Sequence, residues 1–486
     1  MPQKPLPEQE KKIPEAVKKY LKHVEEENKK LKEEVERLKG LLRMSSENSS
    51  KPPSSDGLKK APVKNTIPGT QRRKSGKKSG GQAGHTGLTL MPVAVPDFTV
   101  IHKHEICGCG CNLKGTKTQK VQTIQVFDLP IPKVQVTEHQ LEVKICPECH
   151  VKSSPSLPAG ITHAQVQYGP NIKAQAAYLS NQHLIPLRRT CEILADFYGA
   201  KVSSGTLGRW LLEAYHLLKP FEDQVKEAII GSRVANFDET GMRCAGSLHW
   251  LHSASTAEYT FFGLHKERGI HAMNEFGILP KFKGIAVHDH WKTYFRFESC
   301  LHALCNAHIV RELLFLHEEQ KERWAGKMKK LFLRMHKLVA QAKERGQGTL
   351  ARSTRRKLEH KFNKIVASGF KYHEEDEVFA RGARGKIKQT KGKNLLDRLK
   401  NYKTEALRFM NDFFVPFSNN QGEQDIRMTK VKQKISGCFR SLQGGQVFCR
   451  IRSYLSTMRK QGHNLFRAMH QIFLKQPIQI FLLSPA

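Results

Sequence analysis

The chain has 486 residues, too many for one ordinary hydrophobic core, and 39% of them are apolar, enough for several. Lys and Arg number 81 against 45 Asp and Glu, a formal +36 that calls for a polyanionic partner; nucleic acid fits, because neutralising its phosphates releases counterions. No run of 18 apolar residues occurs and "MPQKPLPEQEKK" is not patterned as a signal peptide, so a membrane is excluded as partner and a soluble, cytoplasmic chain is expected.

Residues 1–45 are read as a coiled-coil helix. Val17, Val24, Leu31 and Leu38 recur every seven residues, as do Leu21, Asn28, Val35 and Leu42, with Glu and Lys between. An Asn at one core position favours a parallel pair in a single register, so a homodimer through residues 13–43 is expected. Residues 46–95 turn to Ser, Pro, Gly and Lys, too poor in apolar groups to offset chain entropy. This stretch reads as a basic flexible linker whose Arg72, Arg73, Lys74, Lys77 and Lys78 suit DNA phosphates.

Eleven cysteines in an intracellular chain do not point to disulfides. Five cluster within residues 96–155, which read as a zinc-binding domain with strands at "VQTIQVFDLP" and "VQVTEHQLEV". Cys146 and Cys149 form a C-x₂-C half-site for one structural Zn2+. The other half is two of Cys107, Cys109 and Cys111, with His102, His104 and His150 as substitutes. Residues 160–225 are helical, and "LRRTCEILADFYGAKVSSGTLGRWL" has helix–turn–helix character with Ser203 or Ser204 as N-cap.

From residue 230 the periodicity changes to three strands, a helix near 269–278 and a fourth strand, "KGIAVHDHW", an α/β order over 230–320. Residues 321–411 are a basic helical insertion with 26 Lys and Arg against nine acids, and no acid follows Asp425 in residues 412–486. Three carboxylates stand out. Asp238 lies in a strand, so Glu239 points to the opposite face. Asp289 closes a strand between His288 and His290, and Glu423 begins a helix, where three residues after Asn420 it can also serve a capping box.

The text "NNQGEQDIRMTKVKQKISGCFRSLQGGQVFCRIRSYLSTMRKQG" resembles the C-terminal signature of the insertion sequence 66 family of DDE transposases. "SSKPPSSDG", "GGQAGHTG", "YGPNIKAQAAYLSNQHLIPLRRTCEIL" and "CNAHIVREL" resemble further family motifs in the same order. The resemblance implies an α/β ribonuclease-H-like core with a helical insertion, in which Asp238, Asp289 and Glu423 match the catalytic triad. It implies two Mg2+ (or Mn2+) ions, as in-line displacement at phosphorus requires. It also implies DNA partners, both terminal inverted repeats and target DNA, with accessory proteins of the same element as possible company. His308 and Arg311 match positions on the helix after the last strand, the first orienting a site group and the second holding phosphate. Arg427, Lys430, Lys432, Lys434 and Arg440 extend the DNA-binding set. A further zinc site is conceivable from Cys300, His302, Cys305 and His308. Gln424 stands where the family has Arg, and Asn306 where it has Trp. The first departure keeps open a catalytically decayed protein that only binds the same ends, and a coiled-coil and zinc adaptor is the third reading.

Overall fold

The computed structural model describes residues 14–42, 90–380 and 389–480, so Arg72, Arg73, Lys74, Lys77 and Lys78 lie outside the described residues. Helix α1 (Glu15–Leu42) follows the heptad stretch, and Val17, Leu21, Leu31 and Val35 along its apolar stripe are exposed. Asn28 donates to the carbonyl of Val24 one turn earlier at 3.1 Å.

Residues 96–155 depart from the expected strands. Lys144–Ile145 (β1) and Lys152–Ser153 (β2) pair around the Cys146–Cys149 turn, and a single Ile106↔Asn112 bridge spans the first cysteine cluster. The stretches 121–130 and 134–143 have no ladder, and Val121, Ile124, Val126, Leu129 and Val136 are exposed. Alternation makes a strand only where a partner satisfies its backbone groups and covers one face, and neither condition holds here.

Helices α2 (Pro170–Asn181), α3 (Leu187–Tyr198), α4 (Ser204–Leu217) and α5 (Lys219–Ile230) follow. Gly199 ends α3 in the left-handed conformation (φ 69°) that glycine adopts without a Cβ penalty. The Ser203 hydroxyl then caps α4 by accepting from the Thr206 N–H at 3.0 Å. Leu194, Leu207, Trp210 and Phe221 join one core with Phe237 and Phe261 of the sheet and Tyr454 and Met469 near the C-terminus. These helices are thus part of the body's core.

The sheet comprises β3 (Val234–Cys244), β4 (Ser247–Ser255), β5 (Thr260–His265), β6 (Ile285–His288) and β7 (Leu301–Leu304) in the order β5-β4-β3-β6-β7. The first three are antiparallel, and β6 and β7 add in parallel to β3. Ala245 and Gly246 close the β3–β4 hairpin with positive φ at both positions, as a two-residue turn matching strand twist requires. Helix α6 (Ile270–Phe276) crosses from β5 to β6. Strand β7 was not apparent in the sequence: its four residues run straight into α7 (Asn306–Glu318) without a turn residue.

The insertion is helical: α8 (Arg323–Glu344), α9 (Arg352–Ala380), α10 (Lys391–Asn401) and α11 (Lys403–Asn411). Met328, Phe332, Phe362, Leu396 and Phe409 build a core continuous with Leu313 of α7 and with Val287 and Ala303 of the sheet. Helices α12 (Asn420–Ser436), α13 (Leu442–Lys460) and α14 (Leu465–Phe473) complete the fold. Ile426 and Phe448 pack on Met242, Leu251 and Leu264, and Gly445 permits that approach, since a Cβ there would sit 2.3 Å from Leu264 Cδ2. No helix among the described residues is long and apolar enough to cross a membrane.

Candidate active site

The three carboxylates gather beside the central strand β3, with Asp238 within it and Asp289 just past the carboxyl end of β6. Strands β3 and β6 pair in parallel through Asn236↔Val287, so two residues further on Asp238 is level with Asp289, just past the end of β6. Glu423 enters from the first turn of α12. Asp238 feels the other two. Asp238 is held well above the usual carboxylate range by burial first, then by repulsion from Glu239, Asp289 and Glu423. Burial also raises Asp289, whose carboxylate accepts from the Trp291 N–H at 2.9 Å and is partly relieved by Arg268 and Arg398. Three hard-oxygen donors drawn together around a buried Asp238 fit a site completed by divalent cations.

Glu423 is not a capping residue. The N-cap of α12 is Asn419, and its side chain makes no cap hydrogen bond. Instead the Asn419 amide donates to the Phe237 carbonyl and accepts from Asn236 Nδ2, both at 2.8 Å, while its backbone N–H points at Cys305 Sγ at 3.1 Å. This buried clamp ties the start of the Glu423 helix to the strand carrying Asp238 and to the end of β7. The Glu423 carboxylate meets His308 Nδ1 and Arg311 Nη2, each at 3.6 Å, and Cys305 Sγ at 3.8 Å. Burial pushes His308 down to about 4, so the imidazole is neutral near pH 7 and its contact with Glu423 is not an ion pair.

Glu239 points away from Asp238 along the strand, but it is not remote from the site. Its nearly inaccessible carboxylate pairs with Arg268 (2.6 Å) and accepts from the Tyr294 hydroxyl. Burial raises it, and Asp289 raises it further. Arg268 lies between Trp250 and Trp291, 4.8 and 4.1 Å from their rings. His288, buried and lowered to about 3, stacks on Tyr294 and shares a 3.0 Å hydrogen bond with His302, so it props β6 against β7. None of Asn419, Arg268 and Tyr294 was singled out from sequence; the Asn-Asn doublet before the glutamate was the one available signal.

Of the candidate DNA residues, Arg427, Lys434 and Arg440 are exposed. Lys430 is half-buried and donates to the Gly241 carbonyl at 2.7 Å, and burial lowers both it and Lys432. Lys430 thereby braces α12 against β3. Gln424 is exposed and Asn306 is buried, donating to the Ala406 carbonyl at 2.9 Å and so tying α7 to the insertion.

The five clustered cysteines lie in two turns, Cys107–Cys111 and Cys146–Cys149. Backbone N–H groups of Cys149 and Glu148 lower Cys146, and those of Cys109 and Gly108 lower Cys107. Left-handed residues follow in parallel: His150 (φ 57°) after Cys149, and Gly110 (φ 89°) after Cys109. No three of these cysteines converge, because among the described residues only Cys305, His308 and Glu423 group closely enough to hold a metal. Cys300 and His302 are buried with one another, and the four-residue site with Cys305 and His308 does not form.

The family model described as Transposase IS66 family matches residues 165–447, more than half of the chain. A second model, described as a family of unknown function (DUF6444), matches residues 3–90. No curated protein matches.

Proposed function

This chain belongs to the IS66 transposase family, and from that premise we propose that it is a DDE-type transposase whose ribonuclease-H-like core cuts transposon ends and joins them to target DNA with Asp238, Asp289 and Glu423. The observation that carries the reading is the placement of those carboxylates: Asp238 within β3 is level with Asp289 just past β6, and Glu423, in the first turn of α12, is clamped to β3 through Asn419. The sheet order β5-β4-β3-β6-β7, with a helical insertion between β7 and the glutamate helix, is the arrangement that the resemblance implies.

Two Mg2+ or Mn2+ ions held there would activate an attacking oxygen and stabilise the leaving one. The protein's part is placement. Asp238 and Asp289 are set by strand register, and Glu423 by the Asn419 clamp. Arg311 stands beside Glu423, where it can take a phosphate oxygen. Arg268, Tyr294 and His288 hold the floor and keep Glu239 from adding a free charge. Exposed Arg427, Lys434 and Arg440, with the arm at residues 72–78, bind the DNA backbone. Cys146 and Cys149 would hold one structural zinc with two of Cys107, Cys109 and Cys111; the matched left-handed residues after Cys149 and Cys109 favour Cys107 and Cys109. The α1 stripe pairs two copies.

The test is cleavage of a duplex carrying the element's own end, with Mg2+ or Mn2+ and with a chelator. Asp238→Asn, Asp289→Asn and Glu423→Gln are each expected to abolish cleavage as fully as the triple change while DNA binding survives, because the residues act as a unit. Cleavage by Glu423→Gln at the wild-type rate would refute the assignment.

A further inference from the structure

Behind Glu423 lies a second donor set of different chemistry. Cys305 Sγ is 3.2 Å from His308 Nδ1 and 3.8 Å from Glu423 Oε1, and that oxygen is 3.6 Å from His308 Nδ1. Zinc binds sulfur at about 2.3 Å and nitrogen or oxygen at about 2.0–2.2 Å, so a tetrahedral ion separates its ligands by about 3.3–3.6 Å. The observed triangle already has nearly those edges. The sulfur is held in place by the Asn419 N–H, which approaches it at 3.1 Å. Three protein ligands leave a fourth position for water. Arg311 Nη2 approaches the same carboxylate oxygen at 3.6 Å, too long for a strong hydrogen bond, and yields readily to a divalent ion.

We propose that Cys305, His308 and Glu423 form an inhibitory zinc site that withdraws Glu423 from the Asp238–Asp289 pair. A thiolate and an imidazole select zinc over magnesium, which demands oxygen ligands. Binding exchanges the Cys305 S–H bond for a zinc–sulfur bond and releases that proton to solvent, so capture strengthens as pH rises. Zinc held on Glu423 Oε1 takes that oxygen from the Asp238–Asp289 pair and turns the carboxylate toward Cys305 and His308, so zinc acts as an off-switch on strand cleavage. The inhibitory half of this inference rests on Glu423's place in the catalytic triad; the binding half does not.

Two readouts on the full-length protein test it. Co2+ serves as the spectroscopic probe, and the difference between wild type and Cys305→Ser isolates this site from the other cysteines. Wild type is expected to gain a sulfur-to-cobalt charge-transfer band and intense tetrahedral visible bands that Cys305→Ser lacks. In Mg2+-driven cleavage, the zinc concentration giving half inhibition, taken relative to each protein's own rate, is expected to rise at least about tenfold in Cys305→Ser, the loss of one good ligand. Should Cys305→Ser fold poorly, His308→Gln at its half-buried position repeats both comparisons. Identical cobalt spectra in wild type and variants, or an unchanged half-inhibitory concentration, would overturn the site. If wild type does not cleave at all, the cobalt difference still decides the site, and the triad reading falls alone.

Discussion

Replacing Asn419 with Ala should damage this protein more than any exposed-site change near the glutamate. Asn419 is buried, and its amide satisfies two other buried groups, the Phe237 carbonyl and Asn236 Nδ2. Truncation strands both, and each unsatisfied buried polar group costs about 1–3 kcal/mol, so the loss is about 2–6 kcal/mol. For a cooperative unit of this size that is a fall in Tm of about 5–15 °C. Function should suffer separately, because the clamp sets Glu423 against Asp238, and a 1 Å misplacement can cost about 10²-fold in rate. Calorimetry on wild type, Asn236→Ala, Asn419→Ala and the double variant measures it. The double variant should be little worse than Asn419→Ala, giving a coupling of about 1–2 kcal/mol, as expected for direct partners. Additive losses, or an Asn419→Ala Tm within about 2 °C of wild type, would mean that the clamp does not hold the site together.

Other expectations follow from the remaining parts. A peptide of residues 1–50 should be a helical dimer by light scattering, and a monomeric coil at micromolar concentration would remove the pairing role of Val17, Leu21, Leu31 and Val35. Metal analysis of the full chain should return zinc that is lost in Cys146→Ser and in Cys109→Ser but kept in Cys111→Ser, because Cys109 and not Cys111 precedes the left-handed glycine. DNA affinity should fall steeply with salt, with log K against log[salt] at about −0.9 per phosphate contact. Charge reversal at Arg427 and Lys434 should reduce that slope, whereas Lys430→Ala, which removes the bond to Gly241, should cost stability instead.

What the sequence disclosed and what it hid divide along physical lines. The three carboxylates and the sheet's first strands were legible because strand alternation and flanking motifs mark local chemistry. Ser203 as N-cap was legible for the same reason: capping is decided within one turn. The clamp was not. Asn419 reaches back 182 residues to Phe237, and no local pattern encodes a contact of that separation. The expected capping role of Glu423 failed because Asn419, not Asn420, starts the helix and its amide is engaged elsewhere. The strands expected at 121–143 had correct alternation without a neighbour to pair with, whereas β7 had neighbours but only four residues of signal. Lys430 and Lys432 entered the DNA set through charge alone; the half-burial of both, and the bond of Lys430 to the Gly241 carbonyl, depend on tertiary packing that charge does not report.

The central claim, three carboxylates converging on one cationic centre, is tested most directly by stability against pH with and without Mn2+. Asp238 binds its proton more tightly in the folded state, because burial and then Glu239, Asp289 and Glu423 oppose its charge. The stability due to that proton is therefore full below the ordinary aspartate range and is lost as pH rises through the elevated folded value. Without metal, wild-type Tm should decline with rising pH, and Asp238→Asn, which has no charge to bury, should flatten the decline. Mn2+ should restore the wild type at high pH by binding the folded state alone, and should do little for Asp238→Asn. The two curves then cross between the metal-free and metal-loaded conditions. Parallel pH curves with equal Mn2+ stabilisation in both proteins would contradict a shared site.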